Sequence, residues 1–145
     1  MRKSVLWLIA YSVIVVPAIA GAKEDCRSKD AERQIRGCSA IIEAGTESPS
    51  VMAEAHYNLG GSFYTKGDYE RALVNFKRAA SYNFQSENLY IAIGGAHRHL
   101  RDFQKALEAY YRALELNPKS HRAYYGIGNV YFDKGLHAQA IQKYD

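Results

Sequence analysis

One set of side-chain types returns every 34 residues, and this period constrains the fold more than any other feature. Leu59, Ile93 and Ile127 stand in register, and each precedes a glycine. The other repeating columns are His56, Tyr90 and Tyr124; Gly60, Gly94 and Gly128; Phe63, His97 and Tyr131; Ala72, Ala106 and Ala140; Phe76, Tyr110 and Tyr144; and Ala79 with Ala113. Such a period is typical of stacked helix pairs, which bury their apolar faces only against one another. Stacks of this kind form binding surfaces more often than catalytic pockets.

These columns resemble the tetratricopeptide repeat (TPR) family. Two full copies can be framed over residues 53–86 and 87–120, and a third copy, 121–145, stops unfinished. The resemblance implies an all-α fold: a TPR-type α-solenoid of antiparallel helix pairs that forms a right-handed superhelix. Two positions depart from the family pattern. His97 stands where a large apolar or aromatic residue is expected, and Phe84 replaces the proline that the second copy has at Pro118.

The N-terminus has the features of a cleavable secretory signal, which we assign to residues 1–22. A basic start is followed by an apolar run over residues 5–16, then by Pro17 and small residues. The small side chains permit cleavage after Ala20 or after Ala22. An uncleaved membrane anchor is the alternative, but a spanning helix needs about 20 apolar residues and this run is shorter. We therefore predict a cleaved leader and no stable membrane anchor afterwards.

The charge and the leader together bound the location and the partners. Removing the leader removes Arg2, Lys3 and no acidic residue, so the net charge of +4 falls to +2. This charge is too small to favour nucleic acid, whose binders carry a clustered basic stripe. Small leader-bearing proteins with a cysteine pair ahead of such repeats resemble bacterial envelope proteins. The resemblance implies a periplasmic or secreted protein.

Both cysteines lie in an N-terminal segment, residues 23–52, ahead of the repeats. A cysteine pair in a small exported domain is more often a disulfide than a metal site, so we predict a Cys26–Cys38 bond. If Asp30 caps a helix, Cys38 lies about 12 Å along it, and the preceding tail must fold back. The bond would contribute about 2–3 kcal/mol. Two free thiols, with Cys38 in the core, are the alternative.

The segment before the first repeat is predicted to form one capping helix. Asp30 is a suitable N-cap, and Ile35, Cys38 and Ile41 recur at helical spacing, so we expect a helix to Ala44. Residues 45–50 are then a loop, and the first helix of the first repeat is expected over 52–66.

The turns inside the repeats depend on the residue that ends each first helix. Gly67 and Gly135 can adopt the left-handed conformation that closes such helices. Arg101 stands at this place in the second copy, so we predict that its turn is the least regular. Asn117 precedes Pro118 and should end the second copy, because the residue before proline is steered away from helix.

Catalytic and metal-binding patterns are not recognisable. His97 and His99 are two residues apart, so on a helix they diverge by about 200° and cannot share a metal. His56 and His97 occupy core columns, where a hydrogen-bonded packing role is the simpler interpretation. The sequence has no nucleophile elbow, phosphate-binding loop, zinc-protease motif or dinucleotide-binding turn. We predict no catalytic residues, no metal ligands and no cofactor.

The candidate site is the inner face of the first helix of each copy. Positions on this face recur at spacings of three, four and three. The predicted groove residues are Tyr57, Tyr64, Ile91, Arg98, Arg122, Tyr125 and Asn129. Aromatic, arginine and asparagine side chains together are typical of a protein-binding surface. The alternative is that the tyrosines pack within the chain.

Paired glycines accompany this face. Gly60 and Gly94 would let the second helix of each copy approach closely, whereas Gly61 and Gly95 would leave flat patches in the groove. Simple tolerance of the glycines is the alternative. One repeat subfamily grips the C-terminal carboxylate of chaperones with basic residues. The matching places here are Tyr57, Gly61, Ala92, Arg122 and Gly126, of which only Arg122 is basic, so this function is not supported.

We therefore predict a non-catalytic protein–protein interaction scaffold of the bacterial envelope, which binds a peptide or protein segment in the groove. The alternative is the repeat portion of a larger envelope enzyme or assembly factor. The third copy stops at Asp145, part-way through its second helix, so we expect a longer chain.

Overall fold

The computed structural model describes residues 21–144. The predicted leader lies outside these residues except for its last two positions. A helical segment at residues 21–26 precedes seven helices. They are α1 (Ala31–Ala44), α2 (Pro49–Thr65), α3 (Tyr69–Ser81), α4 (Glu87–His99), α5 (Phe103–Leu116), α6 (His121–Asp133) and α7 (His137–Tyr144).

Each helix packs on its neighbours in the chain, and α4 also contacts α2 and α6. The fold is therefore an all-α, TPR-type solenoid, as the 34-residue period predicted. The helix pairs are α2 with α3, α4 with α5 and α6 with α7. Helix α1 packs on α2, ahead of the first pair. Because the first helices of successive pairs touch, their free faces form one continuous surface. In the part of the chain that the structure describes, no helix is long and apolar enough to cross a membrane.

The apolar core follows the repeating columns. Phe76 and Leu89 are almost fully buried between the first two pairs, and Ile127 and Val130 are buried in the third. The two core histidines are packing residues: His56 and His97 are only 8% and 7% exposed. His56 Nδ1 lies 3.0 Å from Asn75 Oδ1. Burial lowers the pKa of His97 and favours its neutral form.

The helix starts follow from capping side chains. The Asp30 carboxylate accepts a hydrogen bond from the Arg33 amide at 2.8 Å, as expected for the N-cap of α1. Helix α2 begins at Pro49, three residues before the predicted start at Met52. Proline has no amide hydrogen to leave unpaired at this position, and Ser48 supplies the cap. The predicted loop over residues 45–50 is therefore shortened to 45–48.

The prediction of an irregular turn at Arg101 is wrong. Arg101 adopts φ of 61°, close to the left-handed values of 78° at Gly67 and 77° at Gly135. The Arg101 amide donates to the Arg98 carbonyl at 2.9 Å, and the following amide donates to the His97 carbonyl at 2.9 Å. These bonds repeat those of the glycine turns. Closing the turn outweighs the cost, about 1 kcal/mol, of placing a side chain in this conformation.

The predictions for Gly60, Gly94 and Gly61 are confirmed, and the prediction for Gly95 is wrong. A Cβ on Gly60 or Gly94 would lie within 3 Å of the Phe76 or Tyr110 ring, so both glycines permit the expected close approach. A Cβ on Gly61 would meet nothing within 4 Å, which leaves the expected open patch. Gly95 does not leave such a patch, because the Tyr64 side chain lies against it.

The N-terminal segment proper, residues 21–30, lies against α1 and is joined to it. Cys26 and Cys38 form a disulfide with a Cα–Cα distance of 4.5 Å. A Cβ on Gly37 would lie 2.4 Å from the Cys26 amide nitrogen and 2.5 Å from the Ala22 carbonyl oxygen. Only glycine therefore allows this approach of two backbones. Ala22 and Ile41 join the two cysteines in an apolar cluster that covers the end of the solenoid.

Candidate functional site

A cavity of about 1330 Å³ lies on the continuous face of α2, α4 and α6. All seven predicted groove residues line it: Tyr57, Tyr64, Ile91, Arg98, Arg122, Tyr125 and Asn129. Three helices contribute them, so the cavity crosses more than one repeat. Its volume exceeds the usual volume of small-molecule pockets, about 300–1000 Å³. The binding role of these residues stays a prediction.

The floor of the cavity is aromatic and partly built from the solenoid core. The Tyr57 ring packs 6.0 Å from Phe76 and 5.1 Å from Phe84, measured between ring centroids. Burial raises the pKa of Tyr57, and the positive charge of Arg122 opposes this shift. Tyr57 therefore packs within the chain, as the alternative to a binding role expected. It still presents part of its surface to the cavity.

The two arginines of the site are held in different ways. Arg98 Nη1 lies 2.8 Å from Asp133 Oδ2, an ion pair that joins α4 to α6. Arg122 Nη1 donates to the amide oxygen of Asn88 at 2.7 Å. Among residues 21–144, no carboxylate forms an ion pair with Arg122 within 4.0 Å, whereas Arg98 is neutralised by its partner.

Tyr125 differs from the other tyrosines because its side chain is 60% exposed. It follows Arg122 by one helical turn, so both side chains lie on the same side of α6. Tyr64 is more enclosed: it lies edge-on to Tyr69 at 5.3 Å and to His99 at 5.8 Å. Burial accordingly raises the pKa of Tyr64. Tyr125 therefore offers more surface to a partner than Tyr64 does.

The N-terminal segment is hydrogen-bonded to two residues that line the cavity. The Cys26 carbonyl accepts hydrogen bonds from Gln34 Nε2 and Asn58 Nδ2, each at 3.2 Å. Gln34 Oε1 in turn accepts from the buried Ser62 hydroxyl. Both Gln34 and Asn58 line the cavity. The position of the N-terminal segment therefore determines where these two amide side chains lie.

Several lining residues were not predicted. Gln34 belongs to the capping helix and has no counterpart in the repeats, so periodicity could not reveal it. Tyr110 belongs to a core column, yet it reaches the cavity beside Gly94 and Gly126. The absence of a side chain at Gly126 was a signal that a large residue could approach α6 there. Lys119 and His121 lie in and just after the turn before α6, where helical spacing carries no information.

A metal or catalytic interpretation gains no support from the geometry. Within residues 21–144, no group of three or more histidine, cysteine or acidic side chains could hold a metal ion. Among residues 21–144, only Tyr110 has a strongly shifted pKa, which burial raises to about 12. A buried neutral phenol is expected of a packing residue.

Comparison with family models identifies the repeats. Models of the tetratricopeptide repeat match residues 53–86 and 91–145. The chain belongs to the tetratricopeptide repeat family. TPR repeats and this solenoid together indicate a protein–protein interaction scaffold. No curated protein matches this TPR chain significantly.

Solved structures share the TPR fold at low sequence identity. A crystal structure of MamA is 22% identical with a TM-score of 0.60, and the match covers 93% of this chain and 87% of MamA. YrrB, described as a TPR protein with an unusual peptide-binding site, is 23% identical with a TM-score of 0.69; the match covers 89% of this chain and 64% of YrrB. A mutant O-GlcNAc transferase from Thermobaculum terrenum is 22% identical with a TM-score of 0.64, and the match covers 83% of this chain but 22% of the transferase. These identities show the shared fold alone.

Proposed function

We propose that this TPR chain is a non-catalytic scaffold of the bacterial envelope that binds a peptide or protein segment in the cavity on α2, α4 and α6. The observation that carries the proposal is the convergence of seven side chains from three helices on one cavity of about 1330 Å³. A surface that crosses successive repeats suits an extended ligand or a helix. The description of YrrB supports peptide binding as a function that this fold can host.

An exported location is part of the proposal. The Cys26–Cys38 disulfide supports it, since such bonds persist in oxidising compartments. The basic and then apolar N-terminus supports it independently. A fusion of residues 1–30 to a periplasmic reporter tests this part. Reporter activity is expected, and retention of the fusion in the cytoplasm would contradict the location without affecting the groove.

Site-specific photo-crosslinking tests where a partner binds. A benzophenone amino acid at position 61 faces the open part of the cavity, because nothing lies within 4 Å of a Cβ there. The same amino acid at position 74 reports on the outer face, where Val74 is 67% exposed. We expect one cellular protein to be crosslinked from position 61 and not from position 74. Crosslinking only from position 74 would show that the partner binds the outer face, and the groove proposal would be wrong.

Substitutions then measure the contribution of the groove. Once the crosslinked segment is synthesised, Tyr125→Ala and Arg122→Ala should each weaken its binding at least tenfold, about 1.4 kcal/mol. Aromatic and arginine side chains dominate such interfaces, and these two share one side of α6. Val74→Ala on the outer face is the matched control and should leave the affinity unchanged. Isothermal titration calorimetry makes the measurement.

A second candidate function is the repeat portion of a larger envelope enzyme or assembly factor. The observation in its favour is the structural match to the transferase, which covers 83% of this chain and 22% of the transferase. The gene sequence downstream of Asp145 distinguishes the two candidates. A stop codon directly after Asp145, or after one or two further repeats, favours the scaffold, whereas a domain of different composition favours the second candidate.

A further inference from the structure

The side chains that line the cavity include positive charges but no negative ones among residues 21–144. The lysines and arginines among them are Arg98, Lys119, Arg122 and Lys143. No aspartate or glutamate of residues 21–144 lines the cavity. Since Arg98 is paired with Asp133, the remaining positive charge is carried by the other three.

Lys119 and Arg122 form a basic rim at the N-terminal end of α6. Lys119 lies in the turn before α6, Arg122 lies in its first turn, and both are exposed. Within the described part of the chain, neither forms an ion pair within 4.0 Å. An unbalanced positive charge beside a concave surface attracts negatively charged partners and selects against basic ones.

Glu87, an acid that interacts electrostatically with Arg122, does not line the cavity. Glu87 lies close enough for Arg122 to help lower its pKa, but hydrogen bonds to Ser120 and Asn117 are the larger causes. Its two carboxylate oxygens accept these bonds, Oε1 from the Ser120 hydroxyl and Oε2 from Asn117 at 2.7 Å. Glu87 is therefore committed to the turn between α5 and α6, and Arg122 donates its hydrogen bond to the neutral amide of Asn88.

An apolar strip lies beside the basic rim. Ile91 is half-buried in the middle of the surface, between Tyr57 of the preceding repeat and Tyr125 of the next. A ligand that satisfies both parts must combine carboxylates with large apolar side chains. Because the strip crosses the repeats, these groups must be distributed along an extended chain.

We infer that the bound segment is an extended acidic peptide, with aspartate or glutamate side chains at Lys119 and Arg122 and an apolar side chain over Ile91. The inference rests on the proposed function and names the chemistry of its partner. Carboxylates at this rim form charge-assisted hydrogen bonds, which are stronger than those of neutral amides. The apolar side chain adds contact area on the strip, and the acids determine which peptides are accepted.

Three fluorescein-labelled peptide pools test the inference. Each pool has peptides of about 12 residues, long enough to cross the three helices, with leucine, tyrosine and glycine at most positions. The remaining positions carry glutamate in the first pool, glutamine in the second and lysine in the third. Binding to the mature protein is measured by fluorescence anisotropy. We expect the glutamate pool to bind at least tenfold more tightly than the glutamine pool, and the lysine pool to bind most weakly.

Variants locate the effect. Arg122→Gln should weaken binding of the glutamate pool about fivefold or more and leave the glutamine pool unchanged, because it removes the charge but not the strip. Arg78→Gln removes the same charge from an exposed site on α3, outside the cavity, and should change neither pool. Circular dichroism checks that both variants keep the helical fold.

The failures of the two proposals are distinguishable. If the glutamine pool binds as tightly as the glutamate pool and Tyr125→Ala weakens both equally, the acidic inference is wrong and the groove proposal stands. If no pool binds, the acidic inference is also wrong, and crosslinking from position 61 decides the groove proposal by itself. An effect of Arg78→Gln equal to that of Arg122→Gln would likewise overturn the inference, since only the net charge of the protein would then matter.

Discussion

At the scale of single residues, glycines decide how closely neighbouring segments pack. Gly37 lies under the N-terminal segment, where the Cys26 amide nitrogen occupies the space that a Cβ would need. Gly61 lies in a comparable helical position but faces open space. The same residue type therefore has opposite roles at the two sites, one structural and one that leaves room in the cavity.

Alanine substitutions should separate these roles. Gly37→Ala should lower the free energy of unfolding by about 1–3 kcal/mol, because backbone atoms cannot move aside as a flexible side chain can. Gly61→Ala is the matched control and should raise stability by up to about 1 kcal/mol through helix propensity. Urea unfolding followed by circular dichroism measures both. Equal stabilisation by the two substitutions would show that the N-terminal segment does not pack on Gly37.

The sequence predicted which surface a residue occupies better than it predicted which residues contact it. The 34-residue period predicted that Tyr57, Ile91 and Tyr125, which hold the same position in successive repeats, lie on one surface. It could not predict that Tyr64 covers Gly95. This contact joins two helices, and its geometry depends on how the pairs stack.

At the scale of helices, α1 and the N-terminal segment form a unit that closes the first repeat. Its apolar side chains pack on α2, and the disulfide joins its two parts. The predicted start of α1 is correct because an N-cap is a local interaction between a side chain and the next turn. The start of α2 was predicted three residues late, because apolar periodicity detects the buried face and not the N-cap at Ser48 and the proline that follows it.

Removing the disulfide should affect this unit only when the bond can form. Cys38→Ala should lower the free energy of unfolding by about 2–3 kcal/mol under oxidising conditions, because the unfolded chain loses a short covalent loop. Under a reductant, wild type and variant should differ by less than about 1 kcal/mol, since alanine keeps most of the small apolar packing. Differences of the same size under both conditions would mean that Cys38 contributes through packing alone.

At the scale of the whole molecule, Tyr110 connects two repeats. It belongs to α5, yet its ring lies against Gly94 of α4 and Gly126 of α6. The side chain is only 3% exposed, and it lies near the Arg98–Asp133 pair that also joins α4 to α6. Its place in a core column was predicted, but its reach into the cavity was not. Periodicity assigns a residue to one pair, whereas stacking allows a long side chain to contact the next pair.

The ionisation of Tyr110 should therefore weaken the stack at alkaline pH. Burial raises its pKa from 10.0 to about 12, and the positive charge of Arg98 opposes this shift only partly. Below about pH 10 the phenol is neutral in the folded and unfolded states, so its contribution to stability is fully present. Between pH 10 and about 12 the unfolded state ionises first, and this contribution is lost. The loss amounts to about 2–3 kcal/mol over the whole interval.

Tyr110→Phe removes this titration and keeps the ring. At pH 8 the variant should differ from wild type by about 1 kcal/mol or less, the usual effect of one hydroxyl group. As the pH rises from about 9 to 11.5, wild type should lose about 2 kcal/mol more than the variant, because only wild type must keep a buried phenol neutral. Urea unfolding at each pH, completed before alkali attacks the disulfide, gives both free energies. Parallel stability curves for the two proteins would show that Tyr110 ionises as easily in the folded stack as in the unfolded chain, and that it is not enclosed between the repeats.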